Sequence, residues 1–289
     1  MCQVCLPRPA PRGRRWGVSL GSFGWILFLA SVCAAGEPGS LPEGQESGEK
    51  GKLVVTVHQG EEWLHSFCFM LVLKVTNPPQ MAFWLEDIAG NYIAHIFVTR
   101  RTALKDWRAA PFVKKENIRR PSSLPIWVHR HWSQQAEPGI QPMTLCEDCH
   151  GKHKSSDKST AGQPDLDAVT GATPGRSFTL EWPVPAALGS GPYVVKAEIN
   201  HSKDFNGQYG KDLVENDPDY SGGKMGSGQP SVLWEGVLEM SDQPSSVALE
   251  IVGHGQPAGR TGEISSDLST LTSASKIVDA IQVRYLPAP

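Results

Sequence analysis

The chain reads as a mainly β protein, an immunoglobulin-like β-sandwich with long inserted loops, on three observations. Short runs of β-branched and aromatic residues recur along it, Gly, Pro, Asn and Asp clusters break them, and uninterrupted helical periodicity is scarce. Strand-like segments at this spacing favour two packed antiparallel sheets.

Taken in order, Leu53-Val54-Val55-Thr56-Val57-His58 is the first expected strand, and a second covers Phe67 to Val75 after the polar Gln59-Gly60-Glu61-Glu62 turn. Met81 to Glu86 and Tyr92 to Val98 form a hairpin around Asp87-Ile88-Ala89-Gly90-Asn91, where Gly and Asn tolerate the positive φ of a tight connection. Leu124 to Trp132 is a strand or short helix at the sheet edge. Residues 133–175 are polar and rich in Gly, Lys, Ser and Asp, a long loop inserted between β-elements. Strands resume at Ser177–Trp182, Tyr193–Ile199, Val232–Met240, Val247–Val252 and Ile277–Tyr285. The loop from Asn200 to Pro230 carries Asp204, Asp212, Glu215, Asp217 and Asp219. Their spacing does not match an EF-hand, so they read as solvated acids.

At the N-terminus, Arg8, Arg12, Arg14 and Arg15 precede an apolar stretch, 17–32, that is too short and too rich in Gly and Ser to persuade as a permanent span. Small residues follow at Val32-Cys33-Ala34 and Cys33-Ala34-Ala35. Residues 1–35 are therefore expected to be a cleaved signal peptide, which makes the mature protein periplasmic or secreted. Residues 36–52 lack apolar side chains to bury and read as a disordered tether, leaving 53–289 as one sandwich domain. About 250 mature residues bury a sizeable core without metal or disulfide staples. The formal net charge of −3 gives no long-range attraction to nucleic acid, which is not an expected partner.

Cleavage would leave Cys68, Cys146 and Cys149. Cys68 sits in an apolar run, where cysteine behaves as a small hydrophobe. Cys146-Glu147-Asp148-Cys149-His150 is different, because Cys-x-x-Cys-His on an exported chain is the attachment sequence for c-type haem. Two thiols three positions apart reach the two vinyl groups of one porphyrin, and the next residue places an imidazole under the iron. His150 would then be the proximal metal ligand, with His129, His131, Met143, His201 or Met225 as candidates for the distal side. Two other uses compete: zinc held by Cys146, Cys149, His150 and His153, at a spacing more compressed than usual fingers, or a plain Cys146–Cys149 disulfide or thiol pair.

Asp167-Ala168-Val169-Thr170-Gly171-Ala172-Thr173 resembles the sequence modified by the periplasmic flavin transferase, and the resemblance implies Thr173 as the acceptor of covalent FMN through a phosphodiester. Pro174 follows where flavinylated domains more often carry a small or hydroxyl residue, and the competing reading is a Gly-containing turn into the next strand. No Gly-x-Ser-x-Gly elbow, phosphate-cradling loop or His-Glu-x-x-His helix is present, so no enzyme is expected. His254, between two glycines, reads as a solvated or capping residue, and Trp107, Trp127, Trp132 and Trp182 read as core.

Four segments together resemble a family of secreted bacterial proteins of unknown function, often encoded beside the enzyme that attaches FMN to exported proteins. They are Phe83-Trp84-Leu85-Glu86-Asp87 with Gly90-Asn91-Tyr92-Ile93; Asp167 to Pro174; Ala197-Glu198-Ile199-Asn200-His201-Ser202 with Asp204-Phe205-Asn206; and Ser227-Gly228-Gln229-Pro230-Ser231. The resemblance implies a β-sandwich and little about activity, and Cys-x-x-Cys-His is not part of the pattern. The expectation is a non-enzymatic envelope electron-transfer protein with one haem c, linked to flavin chemistry through Thr173, whose partners are an envelope redox protein and the flavin transferase. The alternative is a cofactor-free secreted module that binds a ligand or partner through its loops.

Overall fold

Alternating apolar residues lay down the first strand, β1 (Glu49–Gln59), and send Leu53, Val55 and Val57 to one face. The computed structural model describes residues 48–69, 73–103, 120–134 and 169–289. The expected leader and most of the expected tether lie outside these residues, but β1 begins at Glu49, inside the stretch read as tether. Next come β2 (His65–Phe69) and β3 (Leu73–Asn77), which pair with each other in a small separate sheet. The single strand expected over Phe67 to Val75 is therefore two, paired with each other.

The hairpin of β4 (Gln80–Asp87) and β5 (Tyr92–Thr99) forms as expected. Asp87 Oδ1 accepts from the backbone N–H groups of Ala89 and Asn91, and Gly90 takes φ 83° at the turn. A four-residue helix α1 (Arg100–Ala103) follows, then α2 (Pro125–Gln134), β6 (Val169–Gly171), β7 (Phe178–Pro185), β8 (Gly191–Asn200), β9 (Val232–Met240), β10 (Ser245–Gly255), β11 (Ile264–Ser265) and β12 (Val278–Pro287).

The large sheet runs β6-β5-β4-β8-β9-β10-β12-β1-β7, with β11 on β10, and every pairing is antiparallel except β5 with β6. β10 serves two layers. Its first half, Ser245–Leu249, pairs with β12, and its second half, from Glu250 to His254, pairs with β9 through a register shift between Ile251 and Gly253. A strand that changes partners at such an irregularity makes the corner of a sandwich. Between the layers lies one core cluster, drawing Leu53, Val55 and Val57 from β1 and Ile281, Val283 and Tyr285 from β12 together with Met81, Phe83 and Leu85 from β4 and Val195, Ala197 and Ile199 from β8. The fold is thus the expected mainly β sandwich.

The helix Pro125–Gln134 is not at the edge. It covers the outer face of the β5-β4-β8-β9 layer, where Leu124, Ile126, Trp127 and Val128 pack on Ala82, Trp84, Val98 and Leu233. β4 is therefore buried on both sides, which explains its unbroken apolar run Met81 to Leu85. β6 also departs from expectation: Val169–Gly171 add a parallel edge strand beside Phe97–Thr99 where a continuous loop was read.

Candidate functional site

Along β8, Lys196, Glu198 and Asn200 share the outer face, and each is buried beneath the elements that precede the long insertion. A buried polar group costs free energy unless it is paired, so each must be accounted for. Glu198, fully buried, sits at the first turn of α2 and accepts from Ile126 N at 3.1 Å, Trp127 N at 2.7 Å and Ser231 Oγ at 2.5 Å. These amides belong to the first turn, which has no intrahelical acceptors, and the helix begins with Pro125, which lacks an N–H to satisfy. Burial pushes the Glu198 carboxyl up to about 7, and the hydrogen bonds from Ser231, Trp127 and Ile126 only partly offset it. Asn200 Nδ2 donates to the carbonyls of Ser122 and Ser123, tying down the approach to the helix. Gly255 completes the fit: a Cβ there would lie 2.5 Å from Pro125 Cγ and 2.7 Å from Ser231 Oγ.

Lys196 pairs at 3.2 Å with Glu86 and at 3.2 Å with Glu235. Glu86 also accepts from Trp84 Nε1 at 2.8 Å and lies 3.8 Å from Arg130 Nε on α2. Beside this ladder an aromatic cluster links β5 to the later turns of α2. Trp127 stacks on His131, with centroids 5.3 Å apart, and its Nε1–H donates to His95 Nδ1 at 3.2 Å. Indole nitrogen only donates, so His95 Nδ1 is an acceptor and Nε2 carries the hydrogen. His95 Nε2 then donates to His131 Nδ1 at 2.9 Å, and the Tyr92 hydroxyl also contacts His95 Nδ1. Burial, reinforced by His131, holds His95 down to about 3, so the ring is neutral at ordinary pH.

A second polar knot lies where two of the quoted segments interlock. Asp204 N donates to Ser227 O and Gln229 N to Asp204 O, while Ser273 Oγ donates to Asp204 Oδ1 at 2.5 Å. His201 Nε2 donates to Glu62 O, His65 Nε2 to Lys203 O, and the two rings lie 5.4 Å apart. Burial, above all, lowers His201 to about 4 and raises Asp204. Asp204 is thus not the solvated loop acid the sequence suggested. His254 is likewise buried, with Nδ1 bonded to Gly255 O.

Cys146, Cys149 and His150, with the zinc candidate His153 and the distal candidate Met143, lie outside the described residues. Among the other distal candidates, His129 bonds Gly259 O, His131 bonds His95 and His201 bonds Glu62 O, while Met225 is half-buried. Thr173 is only 6% exposed, and its Oγ1 lies 3.1 Å from Thr99 Oγ1, which itself bridges Met81 N and O. Attaching FMN there requires the hydroxyl to leave this pocket. Among the described residues no group of three or more His, Cys, Asp or Glu has the arrangement to hold a metal ion. Trp127 and Trp182 are core, as expected.

Three of the four segments that carry the resemblance are brought together: Phe83 pairs with Ala197 across the sheet, Glu198 meets Ser231, and Asp204 meets Gln229. The sequence reading missed His95 and Glu198 as members of a site. Their only sequence signal was a polar residue within otherwise apolar strands. Comparison with protein-family models, curated proteins and solved structures gives no match.

Proposed function

We propose that the protein is a non-enzymatic electron carrier of the cell envelope, with haem c bound through Cys146 and Cys149 and ligated by His150. The observation that supports this most is where the motif is inserted. The described element before the motif, α2, ends at Gln134, one turn past His131, and the one after it, β6, begins at Val169 beside β5, so both adjoin the strand that carries His95. The inserted stretch is polar and rich in Gly, Lys, Ser and Asp, a composition suited to a long loop that carries a function. The leader-like N-terminus supplies the compartment in which haem is attached and thiols oxidise. When bound, haem supplies one-electron chemistry whose potential is set by axial ligand and burial.

A second reading, a cofactor-free module that binds a partner, draws on exposed apolar side chains. Val237 of β9 is 60% exposed, and the register sets it beside the half-buried Val194 of β8. One experiment separates the two. The protein is purified from a host that matures c-type cytochromes, and its visible spectrum and intact mass are recorded. A Soret band and a haem-sized mass increment, both lost in Cys146→Ala/Cys149→Ala, are expected; their absence from the wild-type protein refutes the haem reading. A flavin-sized increment lost in Thr173→Ala would establish modification there. Metal content of haem-free protein distinguishes zinc from a disulfide.

A further inference from the structure

We propose that the β2–β3 ribbon seats the protein on an anionic lipid bilayer, with its apolar end dipped into the interface and the cations at its base against the headgroups. The inference is independent of any bound cofactor. β2 and β3 pair with each other, from His65 opposite Asn77 to Phe69 opposite Leu73, in a sheet apart from the large one. Among the described residues neither core cluster takes a side chain from this ribbon, and Leu64, just before β2, is 47% exposed. Yet Phe67 to Leu73 is the longest uninterrupted apolar run after the leader, Phe-Cys-Phe-Met-Leu-Val-Leu. A ribbon with one wet face needs polar residues at alternate positions, and this run has none.

The base of the ribbon is built around a lysine. His65 Nε2 donates to Lys203 O at 3.1 Å, and Lys203 N donates to Gly226 O at 3.0 Å. Held from both sides, Lys203 takes φ 65°, alone among the described non-glycine residues, a conformation costly for a long side chain. Its Nζ stands 4.6 Å over the Phe67 ring, which puts a cation beside the apolar run. Arg120 lies within electrostatic reach of Lys203, and Arg101 within reach of Arg120. The two arginines lie at opposite ends of the stretch 100–120, which carries eight Lys or Arg against Asp106 and Glu116, a local charge of +6 in a chain whose formal net charge is −3. From Trp63 to Leu85 the sequence has no acidic residue.

An apolar run rimmed by cations matches an anionic membrane surface, whose charge attracts basic residues while its interface accepts apolar ones. A protein groove would have to cover both faces of the ribbon with a matching shape, whereas lipid moulds itself to them. Strands of five residues reach about 17 Å, too short to cross a hydrocarbon core of about 30 Å. The ribbon's outer edges are unpaired among the described residues, and water or headgroups must satisfy them. Docking is therefore shallow, with Phe67 and Lys203 at headgroup level.

The test is flotation of the full mature chain with vesicles of phosphatidylcholine, either alone or with about one quarter phosphatidylglycerol. Binding is expected to the anionic vesicles only, and it should fall at least tenfold between about 50 mM and about 500 mM NaCl. Lys203→Gly suits the positive φ, removes the cation and should weaken binding about fivefold. Replacing Phe69–Leu73 by Asn-Gly closes a two-residue turn on the Cys68–Lys74 pair and should weaken binding by about tenfold or more. The inference is overturned if the wild type ignores anionic vesicles, or if either variant binds them as well as the wild type does. Self-association that the shortened ribbon abolishes, seen in sedimentation without vesicle binding, also overturns it in favour of a second copy. Should the shortened ribbon fail to fold, Val75→Asp, at a position in neither core cluster, decides in its place: a tenfold loss upholds membrane docking, and unchanged binding refutes it.

Discussion

Replacing Lys196 with Met isolates the ion ladder beneath α2. Lys196 Nζ lies 3.2 Å from Glu86, whose side chain is 1% exposed, and at the same distance from Glu235, which is 38% exposed. Met keeps most of the volume and removes the charge, leaving the Glu86 carboxylate buried with Trp84 Nε1 and the more distant, half-open Arg130. At 3.2 Å and an effective dielectric of about 20 the lost attraction is about 5 kcal/mol, offset in part because Lys196 no longer has to be desolvated. Removing one partner of a buried pair costs about 3–5 kcal/mol, and the surviving Arg130 contact puts this case near 3. For a domain of this size that lowers the thermal midpoint by roughly 6–12 °C. Glu235→Gln, at the exposed arm of the ladder, should cost less than about 1 kcal/mol. Urea unfolding monitored by circular dichroism measures both, and Glu86→Gln/Lys196→Met should recover part of the loss. The reasoning fails if Lys196→Met is no more destabilising than Glu235→Gln, or if the double variant costs the full sum of its singles.

Gly255→Ala should destabilise by about 1–3 kcal/mol, since its methyl would meet Pro125 and Ser231, and the loss of protection should begin in α2 when exchange is followed residue by residue. His201 is buried neutral with a folded value near 4, below its unfolded value of 6.5, so it withdraws up to about 1.4 kcal/mol of stability per pH unit as pH falls from 6.5 towards 4. His201→Gln should flatten that part of the acid slope in urea midpoints taken at pH 7 and pH 5. Substituting a short Gly/Ser linker for residues 136–167 should leave the unfolding midpoint within a few degrees, because that stretch is polar, rich in Gly, Lys, Ser and Asp, and has little apolar surface to bury. A collapse of the fold would show that the insertion belongs to the core.

The strands were legible because β-branched and aromatic runs are what a pleated, half-buried surface selects, and Met81 to Glu86, Tyr92 to Val98 and Val232 to Met240 form as read. What failed to show was coverage. Lys196, Glu198 and Asn200 alternate with Val195, Ala197 and Ile199, the pattern of a strand with one wet face, yet a helix lies on the polar side. That helix is itself poorly signalled: Ile126, Trp127, Val128 and Trp132 are residues that also suit strands, and the group that satisfies its first amides, Glu198, stands far along the chain. The change of partners within β10 is invisible for the same reason, since two halves of one apolar strand look alike until the register shifts. The Cys146 to His150 motif stands out by its spacing alone, while the cluster of His95, His131 and Trp127 exists only once β5 and α2 meet.

The pairing of β1 with β12 has a mechanical consequence. The two strands run antiparallel with Gly51 opposite Pro287, and Ala288 N donates to Lys50 O just beyond the ladder. The domain's first and last strands therefore enter and leave at one corner. A force applied between Glu49 and Pro287 would open this pair like a zipper, loading its hydrogen bonds one after another rather than all at once. A pull applied through the leading strand alone spares that seam, so a domain held by its N-terminal side alone hangs from β1 with both of its ladders, to β7 and to β12, intact.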